Sequence, residues 1–202
     1  MSRVGVLVSG RGSNLQALLG AASAGALGGE GAVVISNVES ALALERAREA
    51  GVPALFRDHR GKTREDYEAE VSSLLRDHKV DFVCLAGFMR RLSPGFLRAF
   101  PGRVVNVHPA LLPAFPGMGA QRQAFDHGVK VSGATVHLVD EDLDTGPIVL
   151  QEAVPVLAGD SAESLSARIL EAEHRIYPRA VRILLDGRYR LEGRRLIVLE
   201  AA

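Results

Sequence analysis

Apolar runs alternate with amphipathic stretches along the first half of the chain. Val4–Val8 is a β-branched run that ends in a glycine-rich turn, and Leu15, Leu18 and Leu19 then follow at the spacing of one helix face. Continuous apolar runs are typical of strands buried on both faces, as in a parallel sheet covered by helices. We therefore predict strands over Val4–Val8, Val33–Ile35, Val52–Phe56, Phe82–Ala86 and Arg103–Val107, and helices over Asn14–Gly25, Ala41–Ala50 and Glu65–Asp77.

The pattern changes in the second half. Val131–Val139 and Ile148–Val156 are longer apolar runs on either side of a turn at Asp142–Pro147, which favours an antiparallel pair. We also predict helices over Gln121–His127 and Ala162–Leu185, followed by a hairpin or an extended tail over Tyr189–Leu199. The alternation predicts an α/β fold of the Rossmann type: a mostly parallel twisted sheet with helices on both faces and an antiparallel C-terminal part.

Composition narrows the class of protein. The 202 residues suit one domain, and with 24 basic and 24 acidic residues no excess charge indicates a nucleic-acid or membrane partner. The single cysteine, Cys84, lies in an apolar run and is predicted to be a core residue. No His/Cys/Asp/Glu group has metal-ligand spacing, so no metal is expected. With no signal peptide and no apolar run approaching ~20 residues, we predict a cytoplasmic protein.

A glycine-rich loop, Ser9–Leu15, joins the first strand to the first helix. It lacks the third glycine of the dinucleotide fingerprint and the lysine of the nucleoside-triphosphate loop. Backbone amides at a helix start bind anions, so Gly12, Ser13 and Asn14 are candidates to hold one terminal phosphate. The alternative is structural: the glycines shape a turn, and Ser13 or Asn14 caps the helix.

Two polar residues end the strand at Arg103–Val107. Asn106 and His108 are two positions apart and share one face at the carboxyl end of that strand, where ligands bind in open α/β sheets. An amide can stabilise an oxyanion and a histidine can deliver a proton, although a histidine here can also be structural. His137, which alternates with apolar residues, is interpreted as a packed or strand-surface histidine.

Asp144 stands out within the acidic turn Asp140–Asp144. It precedes Thr145-Gly146-Pro147 and a strand, so its direction is expected to be fixed, whereas the other carboxylates suit a solvated loop. A fixed carboxylate near His108 would orient the ring and favour its protonated form.

Six segments together resemble the folate-dependent formyltransferases, in order and over nearly the whole chain: Ser9–Gln16, Leu85–Arg90, Asn106–Pro113, Gly133–His137, Leu143–Ile148 and Glu173–Pro178. The Ser-Gly-x-Gly-Ser-Asn loop resembles the branch that acts on 5-phosphoribosylglycinamide. The resemblance implies a formyltransferase of de novo purine biosynthesis. Such an enzyme moves the formyl group of 10-formyltetrahydrofolate, its co-substrate, to the amine of that substrate, with direct attack and no covalent enzyme intermediate.

The resemblance also implies roles for particular residues. It places Asn106, His108 and Asp144 as the catalytic residues of a single domain, 1–202, with a phosphate-binding half, 1–100, and a folate-binding and catalytic half, 101–202. It implies a cis bond at Leu112-Pro113. The remaining residues carried over are Gly12, Ser13, Asn14, Pro109 and Glu173 for the substrate, and Arg64, Met89, Arg90, Arg91, Leu92, Asp140, Glu141 and Leu143 for the folate.

Three positions depart from the family pattern. Arg91 stands where an aliphatic residue is usual, and Gly119 and Ala120 stand where relatives often carry a histidine. We assign no side-chain role in substrate binding to the loop that contains Gly119.

Two rival functions remain. One is a formyltetrahydrofolate hydrolase with the same three catalytic residues, and the other is a non-enzymatic module that binds a phosphorylated ligand. The expected partners are small molecules only, and the expected assembly is a monomer or a weak homodimer.

Overall fold

The computed structural model describes residues 1–199, which form six helices and nine strands. In chain order they are β1 (Ser2–Val8), α1 (Ser13–Ser23), β2 (Gly29–Ser36), α2 (Leu42–Glu49), β3 (Ala54–Phe56), α3 (Arg64–Asp77), β4 (Phe82–Leu85), α4 (Pro94–Ala99), β5 (Val104–His108), α5 (Ala120–His127), β6 (Val131–Leu138), β7 (Ile148–Pro155), α6 (Ala162–Asp186), β8 (Tyr189–Glu192) and β9 (Arg195–Val198). The chain divides into two compact units, Met1–Val105 and Asn106–Ala202. Among the residues described, no helix is long and apolar enough to cross a membrane.

The first unit is built on parallel strands. β1 pairs in parallel with β2 on one side and with β4 on the other, so that Leu7 lies opposite both Ile35 and Leu85. β3 pairs in parallel with β2. The β1 residues from Val4 to Val8 are all buried, which is the pattern of a strand covered on both faces.

Local capping fixes two helices of this unit. The Thr63 hydroxyl accepts a hydrogen bond from the Asp66 amide at the start of α3, and the Ser93 hydroxyl accepts one from the Phe96 amide at the start of α4. α3 buries Tyr67, Val71 and Leu75 on one face.

The second unit combines an antiparallel pair with a long helix. β6 pairs antiparallel with β7, and α6 packs against both strands. Ser161 and Ser164 form a capping box at the start of α6, whose apolar stripe includes Leu165, Ile169 and Ile176. β8 and β9 are antiparallel, which confirms the hairpin alternative for the C-terminal segment.

Most helix and strand boundaries lie within one or two residues of those predicted from the sequence, but β2 is longer than predicted. It begins at Gly29 rather than Val33, because its first residues pair with Ser2–Val4 although Gly-Glu-Gly carries no strand-like pattern. The pairing register shifts between Val4 and Gly5. Strand length here is decided by the neighbouring strand rather than by the local sequence.

Candidate active site

β5 aims Asn106 and His108 to the same side, as their spacing requires. Asn106 is half-buried, and His108 is 4% exposed. Burial of a histidine and an amide needs hydrogen-bond partners, since an unsatisfied polar group inside a protein costs stability. Those partners come from the loop after β5, from β6 and from the turn after β6.

Both ring nitrogens of His108 face acceptors. Nε2 lies 2.8 Å from the carbonyl oxygen of Phe115, and Nδ1 lies 3.4 Å from Oδ2 of Asp144. A carbonyl oxygen only accepts, so Nε2 carries a proton in this contact. The structure therefore brings together the histidine and the aspartate that the sequence proposed as a pair.

Asp144 is held by its backbone and by its side chain. Its φ is 54°, in the left-handed region that aspartate tolerates better than most residues. Its Oδ2 accepts a hydrogen bond of 2.7 Å from the amide of Gly117, and its side chain is 10% exposed. A Cβ on the nearby Gly146 would lie 1.8 Å from the carbonyl oxygen of Leu138. Close packing of this turn therefore fixes the direction of the carboxylate.

His137 belongs to the same cluster, which the sequence interpretation missed. It is 2% exposed, and its Nε2 lies 3.3 Å from Nδ2 of Asn106 and 3.6 Å from Oδ1 of Asp144. The β6–β7 register shifts between Val136 and His137, an irregularity of the kind that redirects side chains at functional sites. The signal that could have found it is Thr135, a second polar residue two positions earlier and therefore on the same face of the strand.

Burial lowers the pKa of His137 below its ordinary value of 6.5, while its bond to the Leu138 carbonyl and the charge of Asp144 oppose that shift. Nδ1 lies 2.9 Å from the Leu138 carbonyl and must therefore donate to it. In the neutral ring Nε2 is then an acceptor, and it accepts from the Asn106 amide. This contact determines which end of the Asn106 side chain is the NH₂ group.

Thr135 anchors the loop that follows His108. Its hydroxyl donates to the Ala110 carbonyl at 2.6 Å and accepts from the Leu112 amide at 3.0 Å. The Leu112-Pro113 bond is cis, as the family resemblance implied. Pro109, predicted at the substrate, is half-buried directly after His108.

The glycine loop lies in the first unit. Gly12 has a φ of 74° and precedes α1, and among residues 1–199 no side-chain hydrogen bond caps this helix. The capping role considered for Ser13 or Asn14 is therefore wrong, because both residues lie inside the first turn of α1. A Cβ on Gly12 would lie 2.7 Å from Cβ of Ala43, so close packing requires this glycine independently of any ligand.

Residues predicted at the folate occur in both units. In the first unit, Arg64 begins α3, Met89 is 70% exposed, and the Arg90 guanidinium lies 5.2 Å from the centre of the Tyr67 ring. Arg91 is exposed and Leu92 is half-buried. In the second unit, the Asp140 carboxylate accepts a 2.7 Å hydrogen bond from the Thr145 hydroxyl. Glu141 and Leu143 in the same turn are exposed.

The remaining positions singled out from the sequence are buried or lie at the start of a helix. Glu173 lies on α6 and is 5% exposed. Gly119 adopts a φ of 69° immediately before α5, and Ala120 is fully buried, so neither departure offers a side chain to a ligand. Cys84 is buried, as predicted. Within residues 1–199, no group of three or more His, Cys, Asp or Glu side chains is arranged to hold a metal ion.

An amide and a histidine side by side, with an aspartate against the histidine, are suited to stabilise an oxyanion and to move a proton. The chain belongs to the formyl transferase family, whose model matches residues 2–181. This confirms the resemblance.

Particular relatives narrow the comparison. The chain is similar to the phosphoribosylglycinamide formyltransferase of Escherichia coli, with 42% identity over 95% of this chain and 94% of that protein. It is 50% identical to the trifunctional purine biosynthetic protein adenosine-3 of Drosophila melanogaster over 92% of this chain, but spans only 14% of that protein. The crystal structure of glycinamide ribonucleotide transformylase 1 from Symbiobacterium toebii matches with a TM-score of 0.97 and 53% identity, covering 99% of this chain and 95% of that one. The predicted fold class is confirmed.

Proposed function

We propose that this chain transfers the formyl group of 10-formyltetrahydrofolate to the primary amine of 5-phosphoribosylglycinamide. The products are formylglycinamide ribonucleotide and tetrahydrofolate, in purine biosynthesis. The observation that carries the proposal is the contact between His108 and Asp144 beside Asn106, in a chain of the formyl transferase family. The full-length similarity to phosphoribosylglycinamide formyltransferases supports this amine as the acceptor.

The chemistry begins when the amine attacks the formyl carbon. The C=O electrons move onto the oxygen, and the tetrahedral oxyanion is stabilised by Asn106 and by the protonated His108. The Asn106 NH₂ group has two protons, of which one is donated to His137 and the other remains for the oxyanion. The Nε2–H of His108, which is donated to the Phe115 carbonyl, is donated instead to the formyl oxygen as the substrate displaces that carbonyl, and the proton stays on His108 throughout.

Collapse of the intermediate breaks the bond to the folate nitrogen. The attacking amine loses one proton and the leaving nitrogen gains one. This proton passes through a water molecule that is held by Asp144. No bond forms between the enzyme and the formyl group. Catalysis therefore depends on juxtaposing two substrates and on charge stabilisation, and loss of one oxyanion donor is expected to cost about 10²–10³ in rate.

Binding of the acceptor uses the glycine loop and α6. The amides of Gly12, Ser13 and Asn14 hold the phosphate at the positive end of α1, and Glu173 binds ribose hydroxyls. The backbone of Pro109 also contacts this substrate. The folate is bound by Arg64, by the segment Met89–Leu92 and by the turn that contains Asp140, Glu141 and Leu143.

The decisive experiment is an absorbance assay for loss of the formyl group from a 10-formyl folate, with and without glycinamide ribonucleotide. We expect deformylation only when the amine is present. Equal rates without it would replace the proposal with the hydrolase, and the absence of any deformylation would favour a binding module. Asp142 is an exposed carboxylate in the same turn as Asp144, so Asp142→Asn serves as the control for substitution of Asp144 in this assay.

The phosphate site needs its own test. Substitution of Gly12 is unsuitable, because any added side chain would collide with Ala43. Ser13→Ala removes only a hydroxyl from the loop. We expect it to raise the KM for glycinamide ribonucleotide severalfold and to leave the folate KM unchanged. A substrate without its phosphate that binds as tightly as the complete molecule would disprove this role.

A further inference from the structure

Ser9, the first residue of the glycine loop, holds the backbone that leads into the segment Met89–Leu92. Its amide donates to the Gly87 carbonyl at 3.2 Å, and its hydroxyl accepts from the Met89 amide at 2.9 Å. β1 and β4 end just before these contacts, where the Ala86 amide still donates to the Leu7 carbonyl. Gly87 has a φ of 72°, which turns the chain out of the regular ladder. The Ser9 side chain thus provides the acceptor beyond the end of the strand pair.

The orientation of the Ser9 hydroxyl is fixed by a second contact. Its proton is donated to Oδ1 of Asn37 at 2.6 Å, which leaves an oxygen lone pair for the Met89 amide. Asn37 follows β2 and is 7% exposed, so a buried side chain sets the direction of this bond. A hydroxyl held in this way is a rigid acceptor rather than a freely rotating one.

The other end of the segment is held by a buried carboxylate. Glu68 of α3 is 5% exposed, and its Oε1 accepts from the Ser93 amide at 2.9 Å. Its Oε2 also accepts from the Ser93 hydroxyl. Burying a carboxylate is costly unless hydrogen bonds compensate it, and these bonds are directed at the residue that follows Leu92.

Tyr67, the neighbour of Glu68, contacts the middle of the segment. Its ring lies under the Arg90 guanidinium, with 5.2 Å between them, and is 1% exposed. Two consecutive residues of α3 therefore contact Arg90 and Ser93, while Ser9 contacts Met89. The segment is fixed at its start, middle and end, although the Met89 side chain is 70% exposed and Arg91 is exposed as well.

We infer that Ser9 and Glu68 are positioning residues that preset the backbone of Met89–Leu92 for the folate. The inference rests on the proposed function, which assigns this segment to folate binding. Outward side chains and a backbone held at both ends suit recognition through main-chain amides and carbonyls, whose directions must be set before binding. Presetting reduces the entropy lost when the ligand binds.

The test compares Ser9→Ala, Ser9→Thr and Glu68→Gln with the control Ser73→Ala, which alters an exposed serine of α3. The readouts are kcat, the KM for each substrate, and the Kd of a non-reacting 10-formyltetrahydrofolate analogue. We expect Ser9→Ala to raise the folate KM and the analogue Kd about tenfold, the effect of about one lost hydrogen bond. The kcat and the KM for glycinamide ribonucleotide should stay within about twofold. Ser9→Thr should restore folate affinity because it restores the hydroxyl.

The outcomes distinguish a failure of the proposed function from a failure of the positioning inference. If the unaltered protein does not bind the analogue, the proposed function fails. If it binds the analogue, and Ser9→Ala and Glu68→Gln bind it as tightly as Ser73→Ala does, the positioning inference is overturned. It is also overturned if Ser9→Ala raises the KM of both substrates together, since that pattern indicates general damage. Ser9→Ala keeps the test decisive even if Glu68→Gln does not fold.

Discussion

Nδ2 of Asn106 lies 3.3 Å from Nε2 of His137, a contact that connects β5 to β6. The contact has a direction, because Nδ1 of His137 is committed to the Leu138 carbonyl. A neutral His137 is thus an acceptor toward Asn106, and it turns the NH₂ group of that amide into the site. We therefore expect His137 to act through Asn106, as a positioning residue.

Replacing His137 with Leu should lower kcat about tenfold, because Asn106 loses the acceptor that orients it. The KM for each substrate should change little, since the affected bond matters most as the oxyanion forms. Steady-state kinetics will check this, with Asn106→Ala as the background control. In that background His137→Leu should cost little more, and an undiminished tenfold loss there would show that His137 acts independently of Asn106.

The pH dependence of stability follows from one buried histidine, His137, and one half-buried histidine, His174. Burial lowers the pKa of His137 and of His174 in the folded protein. The unfolded chain, with pKa values near the ordinary 6.5, then binds more protons, so stability is full above about pH 6.5 and is lost as pH falls below it. Thermal unfolding between about pH 5 and pH 8 should show this loss. His137→Gln and His174→Gln should each reduce it, and an unchanged pH dependence in both variants would contradict the assignment.

His108 and Asp144 should behave as one proton-handling unit. Each single variant, His108→Ala and Asp144→Asn, should lower kcat by about 10²–10⁴ with both substrates still bound. The double variant should be little worse than the more damaging single one, because partners in one unit are not additive. Turnover measured around the full mutant cycle checks this, with Asp142→Asn expected to stay near the unaltered rate. Fully multiplicative losses would exclude the coupled pair.

Gly146→Ala should damage the turn that carries Asp144. The added Cβ would lie 1.8 Å from the Leu138 carbonyl oxygen, so the backbone must move. We expect the free energy of unfolding to fall by about 3 kcal/mol or more, with a large loss of kcat in the protein that still folds. Gly159→Ala is the matched control, because a Cβ there meets no atom within 4 Å. Denaturant unfolding measures the free energy of unfolding of the two variants. Equal stability would mean that the turn accommodates the added Cβ without cost.

The sequence predicted the features that depend on neighbours along the chain. The apolar run Val4–Val8 indicated a strand covered on both faces, and the spacing of Asn106 and His108 placed both side chains on one face of a strand end. The turn residues after Asp144 indicated a fixed carboxylate. These inferences succeed because strand and helix periods are local properties of the backbone.

Only the tertiary structure decided which distant residues meet. His137 had the pattern of a packed strand residue, and the register shift beside it, together with its contact to Asn106, makes it part of the proposed catalytic cluster. Nothing in the pattern around Ser9 indicated the Met89 amide, and nothing around Glu68 indicated Ser93. The sequence by itself determined the elements, the family and the three proposed catalytic residues. The folded chain determined the partners that orient them, because hydrogen bonds between remote segments depend on strand register and helix packing, which local periodicity does not encode.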